Sequence, residues 1–184
     1  MIKNLILVFG LMIGLAASGA GDIDYQNKRL LANLKKNGIS DISRLEEINS
    51  GLKTAAELQG KFYSVPKGGE VSPVKYVYVG RVNSCRAGGC CITGNTSVNG
   101  ESEYFDYFIF FDSTKTVSLI EVYNYHATHG YEITAKGWLK QFVGFSGKDT
   151  LLVNKDIDGI SGATISVFAI TEDVQEKTRL LKLM

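Results

Sequence analysis

The chain of 184 residues is poor in proline, with Pro66 and Pro73 alone, and it has one tryptophan, Trp138, and two histidines, His126 and His129. It has no large excess of either charge: 20 lysines and arginines stand against 19 aspartates and glutamates, a formal net charge of +1. No block of like charge stands out either. Nucleic acids and other polyanions are held by basic surfaces that displace counterions, so the balance argues against both as partners. Cysteine occurs three times, at Cys85, Cys90 and Cys91. None stands directly after the apolar run at the N-terminus, which argues against a lipoprotein anchor. No internal repeat is visible.

Met1 to Ala20 reads as a secretory signal. Lys3 supplies the positive end, Leu5 to Leu15 is apolar, and Ala16-Ala17-Ser18-Gly19-Ala20 offers small residues for cleavage, most simply after Ala20. The apolar run falls short of the roughly 20 residues of a membrane span, although an uncleaved anchor is the alternative. Without this segment 19 basic and 19 acidic side chains remain. Export predicts an oxidising compartment, and there the three cysteines suggest one local disulfide, Cys85 with Cys90 or Cys91, across the flexible Gly88-Gly89 pair. A zinc site lacks a nearby fourth ligand, and a catalytic dithiol is the third option. No metal site is expected.

The rest divides at a loop, Pro66 to Pro73. Before it, Tyr25 to Lys36 reads as a helix with Leu30, Leu31 and Leu34 on one face and Gly38 as its stop. Ile42 to Leu58 reads as a weaker helical stretch, so residues 21–74 form an N-terminal helical segment. Residues 75–184 form the main domain. Its strands are Lys75 to Val82 and an antiparallel hairpin, Tyr104 to Phe111 with Thr116 to Tyr125, turning at Asp112-Ser113-Thr114-Lys115. A short strand at Cys91 to Thr93, a helix over Ile133 to Val143, an edge strand at Asp149 to Val153 and a terminal helix from Thr164 to about Leu181 complete it. The fold class is α+β: a twisted antiparallel sheet with packed helices.

The most informative segment is Asp158-Gly159-Ile160-Ser161-Gly162-Ala163-Thr164. A small glycine-containing turn opens onto an apolar helical run, and such a turn holds an anion on backbone N–H groups at the helix N-terminus. Ser161 is a competent N-cap, Gly162 lacks a Cβ, and Thr164 presents a hydroxyl where a phosphate would sit. Upstream lies Tyr125-His126-Ala127-Thr128-His129-Gly130-Tyr131-Glu132-Ile133, followed by Trp138, Gln141, Phe142 and Gly144.

The first string resembles the flavin-attachment signature Asp-x-x-Ser-Gly-Ala-Thr of FMN-binding domains, found in the C subunit of the sodium-pumping NADH:quinone reductase and the G subunit of the Rnf complex. The second is similar to that family's His-x-Glu-Thr-Pro-Gly-Leu-Gly loop. Thr128 and Gly130 keep their identities there, whereas Ala127, His129 and Glu132 differ. The resemblance covers roughly Tyr76 to the C-terminus. It implies FMN esterified through its phosphate to Thr164, with Ser161, Gly162 and Ala163 around the phosphate. Thr128, His129, Gly130, Tyr131 and Trp138 are implied at the ring. Phe142 reads better as core. The resemblance also implies a magnesium-dependent FAD:protein FMN transferase that reads Asp158.

The function so implied is an exported flavoprotein, periplasmic or on the outer face of the cytoplasmic membrane. It would carry electrons between a membrane reductase and an acceptor. No second cofactor motif or substrate-chemistry constellation accompanies the first, so it does not read as a self-sufficient enzyme. The alternatives are a non-redox secreted binding domain that lost the flavin, and a cysteine-based redox or metal protein.

Overall fold

The computed structural model describes residues 22–49, 51, 55–66, 72–84 and 103–184. The expected secretory signal at Met1 to Ala20, the cysteine run with its expected disulfide, and the expected short strand at Cys91 to Thr93 lie outside these residues. In chain order the elements are α1 (Lys28–Lys36), β1 (Glu46–Ile48), α2 (Ala55–Leu58), β2 (Gly60–Ser64), β3 (Tyr76–Asn83), β4 (Tyr104–Phe111), β5 (Val117–Tyr125), α3 (Lys136–Leu139) and α4 (Thr164–Leu183). The five strands form one antiparallel sheet in sequential order. The fold is α+β, as the sequence suggests.

β4, Tyr-Phe-Asp-Tyr-Phe-Ile-Phe-Phe, is buried at all eight positions. Its side chains alternate between two cores, as the period of a strand dictates. Phe105, Tyr107, Ile109 and Phe111 pack under α4 with Val167, Ile170, Val174 and Leu181. Phe108 and Phe110 face the other way, onto Leu30 and Leu34 of α1, with Ile39 behind them. The sheet is thus covered on both faces, which is why its central strand is aromatic throughout rather than alternating with polar residues.

Helix α1 has the expected stop at Gly38, where φ is +82°. The Gly38 N–H donates to the Lys35 carbonyl and the Ile39 N–H to the Leu34 carbonyl, a Schellman closure that buries Ile39. The hairpin turn is held by Asp112, whose Oδ1 accepts from the N–H of Thr114 at 2.7 Å and of Thr116 at 3.0 Å.

Three local expectations are corrected. Ile42 to Leu58 is not a helical stretch. It holds a single 3₁₀ turn at Ile42–Arg44, then β1, then the one-turn α2. β1 and β2 continue the sheet, with Ile48 opposite Phe62 and Phe62 opposite Tyr78, so residues 21–74 are not simply helical. Ile133 to Val143 is not one helix but 3₁₀ turns at Tyr131–Thr134 and Lys140–Phe142 flanking α3. Asp149 to Val153 is no edge strand: Val153 makes an isolated bridge to Ile157. That region is a loop stapled to α4. Gln175 Oε1 accepts from the Leu151 N–H at 2.9 Å, and Arg179 donates to the Asp149 carbonyl at 3.1 Å.

Candidate functional site

Thr164 is the first residue of the 20-residue α4, and it is exposed. The residue at the cap position is Ala163, which supplies no side-chain hydrogen bond. Ser161 is therefore not the N-cap. A turn with Ala163 N–H donating to the Ile160 carbonyl intervenes between Ser161 and the helix. The first-turn N–H groups of α4 have no intrahelical partners by helix geometry, and among the described residues no side-chain cap bond is made at Ala163. Gly162 has φ +82°, and a Cβ built there would meet nothing within 4 Å. Its glycine serves the backbone conformation, and the space before it is open.

A cavity of about 270 Å³ adjoins this end of the helix. Thr164 and Phe168 of α4 line one side, and Asn154, Gly159, Ile160 and Ser161 line the other. Asn154 adopts φ +68°, and its Oδ1 would lie 2.2 Å from a Cβ on Gly159, so only glycine fits there. The residue before it, Asp158, is fixed through its backbone. The Trp138 indole N–H donates to the Asp158 carbonyl at 2.9 Å, and the Asp158 N–H donates to Gln141 Oε1 at 2.8 Å. α3 and the turn after it thus hold the Asp158 peptide, while Asp158 itself is exposed. Phe142 is fully buried and meets Trp138 edge to face at 5.5 Å, which places it in the core.

The second sequence motif meets the same helix turn from another side. Tyr125 donates to the His129 carbonyl at 2.5 Å, and its hydroxyl lies 3.0 Å from Ser166 Oγ. Ser166 Oγ is also 3.3 Å from Ser84 Oγ, at the end of β3. Gly130, with φ +90°, lies so close that a Cβ would come within 2.8 Å of Ser166 Oγ. Burial pushes the Tyr125 phenol above its ordinary range, with the Ser166 hydrogen bond opposing, so it stays a donor. Thr128 donates from Oγ1 to Glu103 Oε1 at 2.5 Å. Tyr131 is 63% exposed and stands edge-on to Tyr125 at 5.6 Å. His126 stacks on Tyr104 at 4.8 Å, and His129 is exposed.

The structure therefore gathers Asp158, Ser161, Gly162, Ala163 and Thr164 at one helix end. It brings His129 and Gly130 against the same turn at Ser166. It does not bring Thr128, Tyr131 or Trp138 into the cavity at Thr164. Sequence reasoning missed Asn154, Ser166 and Phe168 as members of this region. The spacing from Thr164 to Phe168, four residues along one helix, was the signal available for the last of them.

The residues present fit a phosphate monoester of a flavin. There is a hydroxyl at the first helical position, open space at Gly162 and a cavity alongside whose exposed lining is mainly polar. Residues 102–178 match the model of the FMN-binding domain family. Among curated proteins no match is found. β4, β5, α3 and most of α4 fall within the matched stretch, whereas α1 and β1 to β3 precede it. Across residues 102–178, less than half of the chain, the sequence is thus similar to the FMN-binding domain family.

Proposed function

We propose that this protein is an extracytoplasmic flavoprotein that carries FMN covalently through a phosphoester to Thr164. It passes electrons between a membrane reductase and an acceptor. The observation that carries this reading is the position of Thr164: first residue of α4, exposed, uncapped, and on the wall of a cavity. In attachment the Thr164 hydroxyl oxygen forms the new bond to the FMN phosphorus of FAD. The pyrophosphate bond breaks, AMP leaves, and the hydroxyl proton passes to the transferase. Asp158 fits as the residue that the magnesium-dependent transferase reads, since its backbone is held and it faces solvent.

Once bound, FMN supplies the redox chemistry, and the chain supplies position and charge. The helix N-terminus favours the remaining phosphate charge by about 0.3–1 kcal/mol at an exposed site. The covalent bond answers a problem of mass action. Free FMN is scarce outside the cytoplasm, so a reversible site would stay largely empty.

The test is coexpression with a competent transferase, followed by intact mass and flavin fluorescence of the denatured band. Wild type should gain one FMN on the peptide spanning Thr164. Thr164→Val is nearly isosteric and should lose the flavin with an unchanged circular dichroism spectrum. Asp158→Ala should impair loading. No flavin on wild type, or flavin on Ser161 or Ser166, would sink the assignment. The first of these results would favour a flavin-free secreted binding domain. The altered loop at Ala127, His129 and Glu132 is the observation that speaks for that second reading.

A further inference from the structure

We infer that the outward stripe of α4 from Phe168 to Leu183 docks a second copy of this chain, the two helices packing antiparallel about a twofold axis.

Helix geometry sets the stripe. At about 100° per residue, Phe168, Glu172, Gln175, Glu176, Arg179 and Leu183 fall within about 100° of one another around the axis. Phe168 is 45% exposed and Leu183 is 73% exposed, so a large apolar side chain stands at each end. Between them the stripe carries charge. Glu172 is exposed and has no hydrogen bond or ion pair among the described residues. Arg179 is exposed as well. Its Nη2 donates to the Asp149 carbonyl, Thr150 Oγ1 and Gln175 Oε1, and no carboxylate pairs with it among the described residues. These bonds hold the guanidinium in place and leave its charge unmatched. Glu172 and Arg179 lie two turns apart, about 10 Å along the axis, and make no ion pair with each other.

Reversed end to end, the stripe reads onto itself. Phe168 falls opposite Leu183, Glu172 opposite Arg179, and Gln175 opposite Glu176. A twofold contact requires this self-complementarity, since each pairing occurs twice. One antiparallel partner therefore answers both unmatched charges. A parallel one would set Glu172 on Glu172 and Arg179 on Arg179. The Glu176 carboxylates come nearest the axis, and each already carries the Lys177 Nζ at 3.0 Å.

The shape agrees with the charges. A groove of about 360 Å³ runs beside the C-terminal half of α4, between the helix and Thr150. Its surface is mostly apolar, and Leu180 and Leu183 are among its walls. Phe168 of the second copy comes down beside Leu183 at this groove. Phe168 also lines the cavity at Thr164, so Leu183 of the second copy reaches the edge of that site. A strip of helix about 22 Å long and about 10 Å wide is small against the roughly 800 Å² per partner of a standard interface. The dimer is accordingly weak and sensitive to salt. It needs no flavin.

Sedimentation velocity of the full chain over rising concentration tests this, with circular dichroism as the control for folding. Wild type should pass from monomer to dimer at high concentration and return to monomer as salt rises. Glu172→Arg and Arg179→Glu each set like charges face to face twice, and each should weaken association more than about ten-fold. Mixing the two single variants restores both pairs in a mixed dimer, and the double variant E172R/R179E restores them in its own. Both should associate as wild type does. Glu172→Arg leaves the loop bonds of Arg179 intact, so it stands alone as a test should Arg179→Glu loosen the loop at Asp149. Monomer at every concentration overturns the inference. So does a dimer indifferent to Glu172→Arg, or a lack of rescue between folded variants. Binding of monomeric wild type to phosphatidylcholine vesicles, lost in Phe168→Ser, would give the face to a membrane surface and overturn it too.

Discussion

Two glycines at the candidate site have similar backbones and different surroundings, and the difference is measurable. Gly130 and Gly162 both have φ between +80° and +90°. A side chain in this region costs roughly 1–2 kcal/mol of strain. At Gly162 that strain is the whole cost, because a Cβ would meet nothing. At Gly130 the Cβ would also collide with Ser166 Oγ and the Tyr125 hydroxyl. Gly130→Ala should therefore lower the melting temperature clearly more than Gly162→Ala, and equal shifts would mean that the loop does not press on α4. A second residue-scale test lies on the other face of the sheet. Asp106 is fully buried and takes both oxygens to Arg81, at 2.6 and 3.0 Å, with Asn124 adding a third hydrogen bond at 2.8 Å. The guanidinium also lies 3.7 Å from the centre of the Tyr104 ring. Arg81→Met leaves the carboxylate buried and its charge uncompensated. It should cost about 3–5 kcal/mol by chemical denaturation.

At the scale of elements, the loop from Phe145 to Ala163 matters most, since it forms the far wall of the cavity. Its attachment to α4 runs through Gln175, which is buried and bonds both polar groups of the Leu151 peptide, at 2.9 and 3.3 Å. Gln175→Leu removes both bonds and leaves two partly buried backbone groups unsatisfied. A loss of about 1–3 kcal/mol is expected. Amide exchange over residues 151–157 should rise more than in β4; uniform change would mean that the staple does not set loop stability.

This loop also marks the limit of what the sequence makes legible. α1, β3, β4, β5 and α4 are readable because each carries a long apolar pattern of a single period. β1 and β2 are not. β1 is three residues, Glu-Glu-Ile, two of them exposed, and nothing local separates it from a helix turn. β2 owes its place to Tyr78, whose ring is accommodated over Gly60 and Gly80 and whose hydroxyl donates to the Leu58 carbonyl at 2.9 Å. That is a cross-strand relation, invisible in a window of sequence. At the site, the string from Asp158 to Thr164 is legible because its chemistry is local. Phe168 was readable only as a helix residue, and Asn154 enters through a loop whose shape tertiary bonds decide.

The whole molecule is built around a sheet buried on both faces, and much of that burial is tyrosine. Burial raises the phenols of Tyr63, Tyr78, Tyr107 and Tyr123 above their ordinary value. Nearby carboxylates push the same way: Glu47 for Tyr63, Asp173 for Tyr78 and Tyr107, and Asp106 for Tyr123. In the unfolded chain these phenols lose their protons at about pH 10. In the folded protein they keep them to higher pH. Above about pH 10 the folded state therefore binds more protons than the unfolded state, and stability must fall as pH rises. Below that pH both states are protonated, and these groups leave the stability flat. Each group of this kind adds about 1.36 kcal/mol per pH unit to the alkaline slope. Tyr63 is the cleanest to remove. It lies in the α1-side core, and Tyr63→Phe keeps the ring while deleting the titrating proton. Urea denaturation from pH 9 to 11.5 should show a steep loss for wild type. It should show a shallower loss for Tyr63→Phe, by one proton's worth of slope, with the two curves parallel below pH 9.5. An unchanged alkaline limb in the variant would mean that the Tyr63 phenol ionises as freely in the fold as in the open chain, and that the sheet is less tightly covered on its α1 face than the structure shows.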